Sequence, residues 1–128
     1  MRPRVPAKQR VHRILKESPC FLSPALRLGR RFPEGIVFSP GDECLGGIWG
    51  SRLESILTNR GAYFRAASGW TFVAYGDVQN VVFPEKSDTD GALTLRTSAG
   101  DFDLLSGRPE LWTAGRYFMR CTDDAKEA

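Results

Sequence analysis

Turns marked by glycine, proline and small polar residues recur near positions 59, 69, 76, 90, 99 and 107 and cut the chain into short apolar pieces. Spacings of about eight to twelve residues suit antiparallel strands and leave little room for long helices, so this rhythm predicts a small sandwich or barrel. The pieces read as strands over Glu43 to Trp49, Leu53 to Thr58, Ala62 to Ala66, Trp70 to Tyr75 and Val78 to Phe83. Gly46-Gly47 should bend or bulge the first of them. Asn59-Arg60-Gly61 supplies a tight turn in which Gly61 is the expected left-handed residue. Trp70, Phe72 and Ala74 alternate with Thr71, Val73 and Tyr75, and both faces are apolar enough to require cover.

The next hairpin can be registered by side-chain parity. For Leu93, Leu95, Phe102 and Leu104 to share a buried face, Leu95 must oppose Phe102 across a loop read as Thr97-Ser98-Ala99-Gly100. Arg96 then faces Asp101, and Thr94 faces Asp103. After Ser106-Gly107, Pro109 opens a helix over about 109–121 with a stripe of Leu111, Ala114, Gly115 and Phe118, widened by Trp112 and Met119. The acidic residues Asp123, Asp124 and Glu127 are expected to fray. Seven strands and one closing helix result.

Ahead of this body lies a segment of different texture. Residues 1–10 carry two prolines and four basic side chains and are expected to be extended. Val11, Ile14 and Leu15 have helical spacing up to Pro19, and Ser23-Pro24 followed by Ala25, Leu26 and Leu28 predicts a second short helix ending at Gly29. We divide the chain into a basic N-terminal arm, 1–31, and a β domain, 32–128. Of the 18 Lys and Arg and 15 Asp and Glu, nine basic and one acidic residue precede Phe32, leaving nine basic against 14 acidic residues in the body. A basic arm on an acidic body suits nucleic acid, an anionic membrane or an acidic partner, or docking on its own domain. The anion-binding candidates are Arg2, Arg4, Lys8, Arg10, Arg13, Lys16, Arg27, Arg30 and Arg31.

Several chemistries find little support. Cys20, Cys44 and Cys121 are far apart without paired spacing, which predicts reduced, mostly buried thiols in place of a disulfide framework or zinc site. With His12 as the single histidine, any Ser-His-Asp triad would have to pass through it. Asp88-Thr89-Asp90-Gly91 is similar to the opening of a calcium loop, but the twelfth loop position is Ala99, not an acid. Asp101 and Asp103 share a face, which the register turns to solvent. Gly46-Gly47-Ile48-Trp49-Gly50 lacks the glycine order of a phosphate cradle. No apolar run approaches the ~20 residues of a membrane-spanning helix and no secretory h-region is evident, so the expected location is cytoplasmic. No catalytic, cofactor or metal residue is expected.

Seven strands in two small sheets closed by a C-terminal amphipathic helix resemble the pleckstrin-homology-like superfold over roughly Asp42 to Cys121. Ile56-Leu57-Thr58-Asn59-Arg60 and Ala74-Tyr75-Gly76-Asp77-Val78-Gln79-Asn80-Val81 are similar to a hairpin and a strand junction of its bacterial PH-like and GRAM-like branches. The resemblance implies a mainly β, seven-stranded antiparallel sandwich or barrel acting as an interaction platform, with Trp112 in the core. Phosphoinositide-binding members carry clustered basic residues in the loop between their first two strands. The corresponding loop, about Gly50 to Arg52, offers Arg52 alone. The expected function is thus a non-enzymatic binding or assembly module for a protein partner or second copy, using sheet edges or the groove beside the last helix. The alternative is nucleic-acid or anionic-surface binding through the arm.

Overall fold

A computed structural model describes residues 5–24, 33, 35–67 and 69–127. Helix α1 (Ala7–Arg10) runs into a wider turn over Val11–Leu15. Strands follow at β1 (Phe21–Leu22), β2 (Cys44–Trp49), β3 (Leu53–Thr58), β4 (Gly61–Ala66) and β5 (Gly69–Ala74). A single turn of 3-10 helix, Tyr75–Asp77, leads to β6 (Val78–Val82), β7 (Leu93–Thr97), β8 (Gly100–Leu104) and helix α2 (Leu111–Glu127). The strands form two antiparallel sheets, β1-β2-β3-β4-β5 and β6-β7-β8. Among the described residues all seven expected strands are present and an eighth, β1, joins them, but the two sheets remain separate and close no barrel.

The β7–β8 register is the expected one, with Leu95 opposite Phe102, Arg96 opposite Asp101 and Thr94 opposite Asp103. Because Thr97 itself pairs with Gly100, the turn is the two residues Ser98-Ala99 and not four. At β3–β4 the left-handed role expected of Gly61 is absent, since its φ is not positive. Glycine is required there for another reason: a Cβ would lie 2.7 Å from Ala74 Cα and nearer still to the Val73 carbonyl of β5. Gly46 does mark the expected bulge, with φ 139° and a register shift between Cys44 and Gly46. Its bare backbone admits β1, because a Cβ would stand 2.6 Å from both Phe21 Cζ and the Leu22 carbonyl.

Strand alternation sorts the five-stranded sheet into two covered faces. Ile48, Leu57, Phe64 and Val73 point inward to meet Val78, Leu93, Leu95 and Leu104 of the other sheet and Leu111, Ala114, Tyr117 and Phe118 of α2. Ile56 and Tyr63 point outward with Trp70 and Phe72, over which Ile36 and Phe38 pack. Val37 between them is 84% exposed, so this lead-in alternates like a strand without pairing as one.

Three expectations about the chain ends are corrected. The first ten residues are not extended throughout: Pro6 holds φ at −63°, and its carbonyl accepts the N–H groups of Gln9 and Arg10, starting α1 at Ala7. Ala7, Val11, Leu15, Cys20 and Phe21 then enter the same core as α2, so the described part of the arm is built into the body. Helix α2 does not end near 121 or fray at its acids. It continues to Glu127 because Asp124 is 7% exposed and takes both the Arg10 Nε (2.8 Å) and Nη2 (3.0 Å) donors. Finally, Trp112 is not core but 41% exposed, since the buried stripe of α2 is centred on Tyr117, which the sequence stripe left out. The helix expected from Ser23 to Gly29 falls mostly outside the described residues.

Candidate functional site

At the start of α2 a cleft of about 610 Å³ opens between the loop 84–91 and the approach to the helix, Gly107, Arg108 and Pro109. One wall includes Trp112, half of a flat aromatic plate. Phe83, directly after β6, stacks on Trp112 with ring centroids 5.0 Å apart and planes 4° from parallel. The plate depends on Gly115, where a Cβ would stand 2.6 Å from Phe83 Cζ and 2.9 Å from Leu93 Cδ1. A glycine inside a helix costs about 1 kcal/mol relative to alanine, and the close approach of Phe83 explains why it is here. Pro84, Pro109 and Leu111 extend the apolar lining, with Glu85, Lys86, Asp88 and Arg108 at the rim.

The cleft lies at one end of a sheet edge. Among the described residues β6 has β7 on one side only, and β8, β1 and β5 are the other edge strands. Gln79 and Asn80 of β6 are exposed, whereas Val81 packs on the core. An extended chain can add to such an edge by main-chain hydrogen bonds while an apolar side chain enters the adjoining cleft. Trp112 was foreseen in the helix, but its role was obscured because period alone cannot say which side of a mixed stripe faces inward.

The nine anion-binding candidates divide. Arg2, Arg4, Arg27, Arg30 and Arg31 lie outside the described residues. Arg10 is committed to Asp124, and Lys8 Nζ donates to Glu43 Oε1 at 2.9 Å. Among the described residues Arg13 and Lys16 are exposed and make no ion pair.

A second basic group was read in part. Arg52 in the β2–β3 turn is joined by Arg65 and Arg108 around Glu54, whose carboxyl is pushed up by burial and pulled back by the three guanidinium groups. Arg65 is already used: its Nε donates to the Leu53 carbonyl at 2.7 Å and its guanidinium lies 4.7 Å from the Trp70 ring centre. Parity along β4 could not reveal this gathering, which needs the loop before α2.

Beneath the middle of α2, the Tyr75 hydroxyl donates to the Thr58 carbonyl at 2.7 Å and bonds the Tyr117 hydroxyl. Burial raises both phenols well above their ordinary range, which keeps them neutral hydrogen-bonding groups and unsuited to act as phenolate bases. Asp101 and Asp103 are exposed, and Thr94 Oγ1 donates to Asp103 Oδ1 at 2.7 Å. Asp88 and Asp90 sit in an exposed turn where the Asp90 N–H bonds Asp88 Oδ1. Among the described residues no three His, Cys, Asp or Glu side chains gather to hold a metal, no disulfide joins any two of the three cysteines, and no helix is long and apolar enough to cross a membrane. No family model, curated protein or solved structure matches this chain.

Proposed function

We propose that the chain is a non-enzymatic binding module of the pleckstrin-homology-like kind that receives an extended protein segment along β6, with an apolar side chain of that segment on the Phe83–Trp112 plate. The order β2–β5, then β6–β8, then α2 supports the fold reading: seven strands in two small sheets and a terminal helix are what the resemblance implies, and β1 with α1 are additions. One observation carries the binding reading: a half-exposed tryptophan, stacked flat on Phe83, lines a cleft where an edge strand ends. Tryptophan in such a setting contributes much of an interface's energy through a small area.

Selection of binders from a random peptide display library tests this. Selected peptides should bind the full chain, shift the amide resonances of Gln79 to Phe83 and lose roughly tenfold or more in affinity on Trp112→Ala. Peptides that shift only other edges, or that ignore Trp112→Ala, would defeat the reading.

The alternative reading, anionic-surface or nucleic-acid binding through the arm, keeps Arg13 and Lys16 as its available described cations. Binding of duplex DNA that weakens steeply with salt and is lost in Arg13→Glu with Lys16→Glu would favour it over the first.

A further inference from the structure

A second cleft, about 440 Å³, runs between the N-terminal helix and the β1–β2 pair. Its volume falls in the range of roughly 300–1,000 Å³ usual for small-molecule sites. Val11, Phe21 and Leu45 make the floor, and Lys8, His12 and Lys16 stand along one wall. The three wall residues are four apart, so they form a single row up the helix. The row passes through the wider turn at Val11–Leu15, where the Lys16 N–H bonds the Val11 carbonyl five residues back. Such turns recur at functional sites. The floor is fixed by β1, since Gly46 alone allows Phe21 to lie this close to β2.

The two linings ask for different things of an occupant. Val11, Phe21 and Leu45 are each buried and offer only apolar atoms to a ligand laid on them. Lys8 is held by Glu43, the one acid on the rim, whereas the side chains of His12 and Lys16 are exposed and make no hydrogen bond or ion pair among the described residues. An inorganic anion would gain nothing from the floor, and a neutral hydrocarbon nothing from the wall. We propose that this cleft binds a small amphiphilic carboxylate, its hydrocarbon on Val11, Phe21 and Leu45 and its head group between His12 and Lys16.

Titration of the full chain with decanoate below its micelle concentration, followed by amide resonances, tests the proposal. Decanoate should shift Val11, His12, Lys16, Phe21 and Leu45, with octanoate roughly ten- to fifteenfold weaker for the two methylenes lost. Decanol, which keeps the tail and lacks the charge, should bind roughly fivefold or more weakly than decanoate, and Lys16→Glu combined with His12→Ala should reproduce that loss. Both substituted residues are exposed, so the fold is kept, and the decanol comparison stands without any variant. Equal affinity for decanol and decanoate, shifts confined to residues around Trp112, association with anionic phospholipid vesicles but not with free decanoate, or no shift at all would each overturn it.

Discussion

The strands of the body and the two ends of the chain are held together over very different distances. In the body, β3 to β5 and β7 to β8 are hairpins whose partners lie close in sequence, as with Thr58 Oγ1 on the Gly61 backbone and Thr97 Oγ1 on the Gly100 carbonyl. At the ends, α1 and α2 are joined by Arg10 and Asp124, residues separated by 114 positions. Hairpin contacts form with little loop-closure cost, whereas the terminal contact is made only once the intervening chain is in place. The ends should therefore behave as a late, cooperative clasp on a body that carries its own register. Substitutions at the two regions should differ in how much structure they release as well as in cost.

The hardest test of this difference is Leu15→Ala. Leu15 is fully buried where the N-terminal segment meets the core shared with α2. Deleting a buried leucine side chain costs about 2–5 kcal/mol, read as a lowered urea midpoint. If the ends are a clasp, hydrogen exchange should accelerate first in 7–22 and in the last turns of α2, while Leu93 to Leu104 keeps its protection. Uniform loss of protection across the molecule would break the distinction.

Asp124→Ala should come next. It strands the Arg10 guanidinium, whose two charge-assisted bonds to Asp124 go unreplaced, at a cost of about 1.5–3 kcal/mol. The expected signature is local: amide exchange in residues 122–127 speeds up more than the fall in global stability accounts for. Restoration of stability by charge alone is not expected, since Asp124→Glu moves the carboxylate out by one methylene in a nearly closed site.

The same contrast decides what could be read from the residues. The β7–β8 register follows from Leu93, Leu95, Phe102 and Leu104 because parity and a nearby turn leave one solution. β1 could not be read: two residues, Phe21 and Leu22, show no alternation, and their pairing depends on Gly46 more than twenty positions on. Asp124 looked like a frayed acid because its partner lies at the other end of the chain. Trp112 was placed in the core by the resemblance, and the stripe was drawn without Tyr117, which buries completely by giving its hydroxyl a partner in Tyr75. A groove beside the last helix was expected without its lining residues, and the cleft beside Lys16 was hidden, being built from the N-terminal helix and the β1–β2 pair.

The Tyr75–Tyr117 pair sharpens the comparison from between the two regions, since it fastens α2 to the turn after β5. Tyr75→Phe leaves the Thr58 carbonyl and the Tyr117 hydroxyl without their shared partner and should cost about 1–3 kcal/mol. Tyr117→Phe keeps the bond from Tyr75 to Thr58 and should cost nearer ~1 kcal/mol. Burial raises both phenols, so the stability they confer is full below the ordinary tyrosine pKa of 10.0 and declines as pH rises past it, where the unfolded chain loses protons that the folded one retains. Removing one phenol should reduce that alkaline slope by about 1.4 kcal/mol per pH unit. An unchanged slope in Tyr117→Phe would show that its hydroxyl is not sealed from solvent.

The smallest expected effect lies on the hairpin itself. Thr94 Oγ1 and Asp103 Oδ1 bond at 2.7 Å on the solvent face of β7 and β8. An exposed cross-strand pair contributes about 0.2–1 kcal/mol, and the register is already fixed on the opposite face by Leu93, Leu95, Phe102 and Leu104. Asp103→Ala should therefore shift the urea midpoint only slightly and leave the cross-strand proximities of Leu95 with Phe102, measured by nuclear Overhauser effects, unchanged. A slipped register in this variant would mean that the polar face helps to set the hairpin, and the body would then share the dependence on single polar contacts that sets the chain ends apart.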